Sequence, residues 1–169
     1  MEKFALPLID LTLPKGAFSR SQLQALEKEL LDIVLRWERA DSTAHAKEIS
    51  WIYAHEVEVM HALVGDSVPG KPHYRVDVAV PAGTMDEHHR AGLIYETTRA
   101  VLTADGSPFT DADAMRVWVI LREVDEGSWG MGGRALGCKD IMRYAVKATL
   151  PVLTENLKPV PREKPAKSA

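Results

Sequence analysis

A repeat of 67 residues constrains this chain more than any other feature. Asp10, Pro14 and Gly16 recur as Asp77, Pro81 and Gly83. The same offset takes Leu26 to Leu93, Glu29 to Glu96, and Val34-Leu35 to Val101-Leu102. It then takes Trp51, Glu56 and Val57 to Trp118, Glu123 and Val124, with no gap needed from Pro7 onward. Scattered identities held in one frame point to a single unit duplicated in tandem.

Each copy reads as strand, turn, helix, strand. Ile9, Leu11 and Leu13 alternate with more polar neighbours, as do Tyr74, Val76, Val78 and Val80 in the second copy, the period of a half-buried strand. Pro14-Lys15-Gly16 and Pro81-Ala82-Gly83 supply the turns. Ser19 with Gln22 forms a capping box and Asp86 caps the second helix. Leu23, Leu26, Leu30, Ile33, Val34 and Trp37 fall on one helical face, as do Leu93, Ile94, Thr97, Ala100 and Val101. Second strands are expected at 49–57 and 116–124. Strand, helix, strand within one sheet implies a parallel pair with a right-handed crossover. The expected class is therefore α/β (α+β), a four-stranded sheet with both helices on one face. The run Val117 to Leu121 is apolar on both faces, so the uncovered face needs a partner and the chain is expected to form a homo-oligomer. A further helix is expected from Asp140 to Leu157, bent at Pro151. This makes one domain over 1–157, with repeats at about 7–57 and 74–134. The Pro- and Lys-rich residues 158–169 read as a disordered tail.

Composition narrows the partners. The net charge of -3 gives no general attraction to nucleic acid or anionic lipid. The lone Cys138 excludes an internal disulfide. The first residues lack an apolar signal region, and no segment is apolar for long enough to span a bilayer. The expected location is cytoplasmic, with no membrane or nucleic-acid partner.

The stretch Val117 to Arg134, VWVILREVDEGSWGMGGR, closes the second copy: an apolar strand, a short acidic turn, an aromatic residue and a Gly-rich hairpin. It resembles the end of the 4-oxalocrotonate tautomerase unit of the tautomerase superfamily. The opening Pro7-Leu8-Ile9-Asp10-Leu11, with Gly16 nine residues after Pro7, matches as well. Together they cover about 7–134. The resemblance implies β-α-β units assembled as trimers of fused pairs, and hence a homotrimer here. It implies keto–enol tautomerisation of a small 2-oxo or enol carboxylic acid without a cofactor, using a proline as general base, arginines for the carboxylate and an aromatic wall. On that pattern Pro7 is the proline and Trp129 the aromatic wall. The family's arginines are replaced by Ala17, Thr84, Trp51 and Trp118. Six residues precede Pro7, so its nitrogen is a tertiary amide with a delocalised lone pair. A proline mechanism would require cleavage ahead of it.

Other groups therefore enter the candidate set. Arg122 and His55 occupy equivalent strand ends and are candidate catalytic groups; solvated strand ends would explain them equally. Arg75, Arg116 and Lys15 are candidate carboxylate ligands. Tyr74 is the second copy's counterpart of Pro7, either donating to a carbonyl or packing. Trp129 could wall a pocket or pack the hairpin, and Trp51 and Trp118 read as core or interface residues. His88-His89 are adjacent on a helix and do not share a face, which disfavours a metal site. Glu56 and Glu123 read as structural carboxylates holding the turn that follows. Gly130, Gly132 and Gly133 read as hairpin glycines, since no Walker lysine follows. The alternatives to a tautomerase-like enzyme are a non-catalytic protein on the same scaffold and a ferredoxin-like binding module.

Overall fold

The protein was analysed as a computed structural model, which describes residues 7–39 and 44–147. The first copy supplies β1 (Leu8–Pro14), α1 (Arg20–Trp37), α2 (Ala44–Glu48) and β2 (Trp51–Val57). The second supplies β3 (Tyr74–Pro81), α3 (Glu87–Ala104), α4 (Asp111–Ala114) and β4 (Val117–Val124). The hairpin strands β5 (Trp129–Met131) and β6 (Arg134–Leu136) and helix α5 (Cys138–Lys147) follow. The bend at Pro151 and the tail lie outside the described residues.

Each unit pairs its strands in parallel, and the units join antiparallel through β1 and β3, in the order β2-β1-β3-β4. Alternation decides the faces: Ile9, Leu11, Leu13, Val76, Val78 and Val80 are buried under the helices. Ser19 and Gln22 form the capping box and Asp86 accepts from His89 N, as the sequence indicates. One inward position differs. Ile94 is exposed, because Leu93, Thr97, Ala100 and Val101 take up the buried stripe of α3 and Ile94 falls at its edge. The helices meet at Gly92, where an added Cβ would lie 2.1 Å from the Trp37 ring.

The duplication runs deeper than the identities show. Helix α4 follows α2 at the same offset. The isolated antiparallel bridge Val64↔Ser67 matches the hairpin pair Met131↔Arg134, so the first copy ends in a hairpin too. Glu56 accepts from Gly16 N at 3.1 Å, and Arg90 bonds both Glu123 and the Met85 carbonyl. These carboxylates therefore tie down the turns after the neighbouring strands β1 and β3, rather than the turns that follow them.

The repeat also exposes a strained position. Just past α1, Arg39 has φ 56, in the left-handed region, where the second copy has Gly106 at φ 72. A side chain there costs about 1–2 kcal/mol, and glycine's freedom in the unfolded chain returns part of that. Arg39→Gly is expected to stabilise the protein by about 0.5–1 kcal/mol, read as a higher urea midpoint with an unchanged slope. A lower midpoint would show that the arginine side chain contributes more than its backbone costs.

Candidate functional site

The sheet face away from the helices is a grid of three rows. Register places Trp51, Leu8, Ala79 and Arg122 in the first row and Tyr53, Asp10, Asp77 and Ile120 in the second. His55, Thr12, Arg75 and Trp118 form the third. The repeat exchanges the outer rows, so each begins or ends in one tryptophan and one cationic or imidazole side chain.

At its centre Asp10 and Asp77 lie directly opposite each other on β1 and β3. Like charges so placed repel unless neutralised. His55 Nε2 lies 2.6 Å from Asp10 Oδ1, and Arg122 Nη2 donates to Asp77 Oδ1 at 2.7 Å. Arg75 Nε is 2.7 Å from Asp77 Oδ2 but poorly aligned with it, so that contact is ionic more than a directed hydrogen bond. Arg122, His55 and Arg75 thus converge from three strands on one carboxylate pair and line a cavity of about 440 Å³ with Leu8, Thr12 and Ala79. The two aspartates are the part of this cluster that the repeat alone did not assign. Their signal was a charged residue kept in the middle of an apolar strand in both copies.

Pro7 and Trp129 meet in a second cavity, of about 260 Å³, with Leu8, Ile49, Trp51, Met131 and Glu48. The β5–β6 hairpin carries Trp129 over the start of β1, while Pro7's carbonyl accepts from Trp51 N at 3.1 Å. Leu8 lines both cavities, so the charged cluster and the Pro7–Trp129 cavity adjoin. Glu48, at the end of α2, escaped the sequence reading because nothing there signals which side of the helix a cavity occupies.

The remaining candidates fall elsewhere. Tyr74 and Arg116, again with Arg75, line a third cavity at the opposite end of the grid. Lys15 stands beyond the Pro14 end of β1, 2.5 Å from Glu58, and both side chains are mostly exposed. Asp86 is held down to about 2 by hydrogen bonds from the His89 side chain and backbone. This places His89 in the helix cap, while His88 lies edge-on to Trp37.

No family model matches this sequence, and no curated protein matches it. Solved structures do match. The Q0 fused 4-OT symmetric trimer is 22% identical, with a TM-score of 0.63 over 78% of this chain and 96% of that one. Pt0534 inactivated by 2-oxo-3-pentynoate is 20% identical, with a TM-score of 0.64 over 78% and 97%. Macrophage migration inhibitory factor of Toxoplasma gondii is 16% identical, with a TM-score of 0.60 over 76% and 99%. Likeness at these identities establishes a shared fold. No helix among the described residues is long and apolar enough to cross a membrane.

Proposed function

We propose that this chain, whose fold is that of the tautomerase superfamily, acts on a small 2-oxo or enol carboxylic acid as a keto–enol tautomerase or close relative. The observation that supports this most is the convergence of His55, Arg75 and Arg122 beside the Pro7–Trp129 cavity. A substrate carboxylate would sit against Arg122 and Arg75, which have donors beyond those their aspartates use. The carbon skeleton would extend over Ala79 and Leu8 toward Trp51 and Trp129. His55 would carry the proton, its ring oriented by Asp10 as a base is oriented by a carboxylate. Pro7 contributes a wall, because an amide nitrogen is no base; cleavage ahead of it would turn it into a secondary amine, which intact mass reads directly.

We also place the protein in a homotrimer. The fused 4-OT structure that this fold matches is a symmetric trimer, and Trp51 and Tyr53 are 58% and 50% exposed on one face of the sheet, an apolar patch that a partner subunit would cover. Light scattering giving a monomer, a dimer or any mass other than three chains would end that assignment.

Turnover of phenylenolpyruvate and 2-hydroxymuconate, followed by ultraviolet absorbance, tests the activity. His55→Ala is expected to lower kcat about 10²–10⁴-fold, and Arg122→Ala to raise KM. Unchanged rates in either variant would remove that residue's role. A wild type that turns over neither compound would favour a non-catalytic binding protein. That reading is already supported by the pairing of His55, Arg75 and Arg122 with the protein's own aspartates.

A further inference from the structure

We propose that the second repeat carries its own ligand site, selective for a small organic anion with a flat apolar body. The site is the cavity of about 520 Å³ at the Tyr74 end of the sheet, a volume typical of small-molecule sites. It is the repeat's counterpart of the Pro7–Trp129 cavity. Tyr74, Met115, Arg116 and Trp118 stand where the first copy has Pro7, Glu48, Ile49 and Trp51. The turn at Leu63, Val64 and Gly65 covers it as the β5 hairpin covers the other.

The duplicated frame carries different charged side chains at its two ends. Among the described residues, the Pro7 cavity is lined by one carboxylate, Glu48, and no cationic side chain. The Tyr74 cavity is lined, among the described residues, by Arg75, Arg116 and His73 and by no carboxylate. Arg116 is buried and bonded to Asp105, Asp113, Ser107 and the Pro72 carbonyl, so it forms a fixed floor rather than a ligand-seeking group. Arg75 is the group that addresses an anion. Its side chain is 53% exposed, and its contacts with Asp77 and, at 3.5 Å, Thr12 occupy only part of a five-donor fork.

The walls supply the rest. Trp118, Met115 and Leu63 are 66%, 72% and 66% exposed, and with Val64 they line the same cavity as the cation. An indole face beside a guanidinium accepts a planar ring while the arginine takes the carboxylate. The Leu8-to-Arg75 exchange between the copies is what gives this end its anion preference.

The test is a titration of the full-length, assembled protein with cinnamate and with methyl cinnamate, which lacks the charge and adds one methyl group, read by calorimetry and tryptophan fluorescence. Cinnamate is expected to bind saturably and the ester at least tenfold more weakly. Arg75→Gln and Trp118→Ala are each expected to weaken cinnamate at least tenfold, whereas Trp129→Ala leaves it unchanged. Thermal midpoints of the variants check that each is folded, and Arg75→Lys is expected to keep part of the affinity. Equal binding of acid and ester, unchanged affinity in Arg75→Gln, loss on Trp129→Ala alone, or no saturable binding would each overturn the proposal. Arg75 also lines the proposed active-site cavity, so the comparison of Trp118→Ala with Trp129→Ala is the one that separates the two sites, and its outcome does not depend on whether His55 and Arg122 support turnover.

Discussion

Arg116→Ala is expected to cost the folded state about 3 kcal/mol, the low end for removing one partner of a buried ion network. The guanidinium is nearly inaccessible, as are Asp105 and Asp113. Nη2 reaches Asp105 at 2.8 Å, Ser107 Oγ at 2.8 Å and Asp113 at 3.2 Å, while Nη1 donates to the Pro72 carbonyl at 2.6 Å. Tyr74 completes the set, donating to Asp105 at 2.5 Å. Truncation would leave two carboxylates facing each other with no cation between them. The low end applies because Lys71, itself exposed, still reaches Asp113 at 3.2 Å.

The loss has a pH signature. Burial pushes Asp105 up, but its bonds with Ser107, Tyr74 and Arg116 outweigh that and hold it below the usual carboxylate value. Asp113 is held down by Thr110 and Lys71 and, against burial, by Arg116. Depressed carboxylates stabilise the fold above their unfolded values and cease to do so as the pH falls through the folded ones. The gap between wild type and Arg116→Ala is therefore widest near neutrality and narrows in acid. Urea unfolding at pH 7 and pH 3 measures both points. A gap of the same size at the two values would mean that the arginine acts through packing alone.

The second large effect concerns Glu38, the repeat's counterpart of Asp105. It is fully buried, and neither carboxylate oxygen has a hydrogen-bond partner among the described residues. The groups that satisfy Asp105 are Tyr74, Ser107 and Arg116; the sequence has Pro7, Ala40 and Ile49 at the corresponding positions. Burial raises the Glu38 carboxyl well above its usual value. Thr84 offsets this only in part, since its hydroxyl donates to the Pro81 carbonyl at 2.8 Å. Above the unfolded value the folded protein therefore favours the neutral carboxyl where the unfolded chain ionises it. A raised carboxyl stabilises the fold below the unfolded value, and that contribution is lost as the pH rises toward the folded one. The slope is about 1.4 kcal/mol per pH unit within that window. Glu38→Gln keeps the shape without the titration. It is expected to flatten the profile and to exceed wild type in stability by an amount that grows as the pH rises above the usual carboxylate range. Parallel profiles for the two proteins would show that Glu38 is not held neutral.

These two positions show where a duplicated sequence is readable and where it is not. The strand alternation of Ile9, Leu11 and Leu13, the Ser19–Gln22 box, the Asp86 cap and the Gly16–Gly83 turns are local physics, written within a few residues of where they act. They sufficed for the strand–helix–strand order of each copy, the parallel pairing within each unit and the helix-covered face, but not for the short helices α2 and α4. The hairpin at Val64 and Ser67 was not legible, because its backbone geometry is kept while its residues have changed. Ile94 was misplaced because a period of 3.6 does not say where a buried stripe ends.

The functional groups divide the same way. Sequence alone marked Pro7, His55, Arg75, Arg122, Tyr74 and Trp129 through the repeat and the resemblance, but it could not sort them into cavities. Only the antiparallel join of β1 to β3 sets Asp10 against Asp77, draws His55, Arg75 and Arg122 onto that pair, and sends Pro7 and Tyr74 to opposite ends of the sheet. A side chain's neighbours along a strand follow from its own period of two, whereas its neighbours across strands depend on a register formed with residues up to 71 positions away.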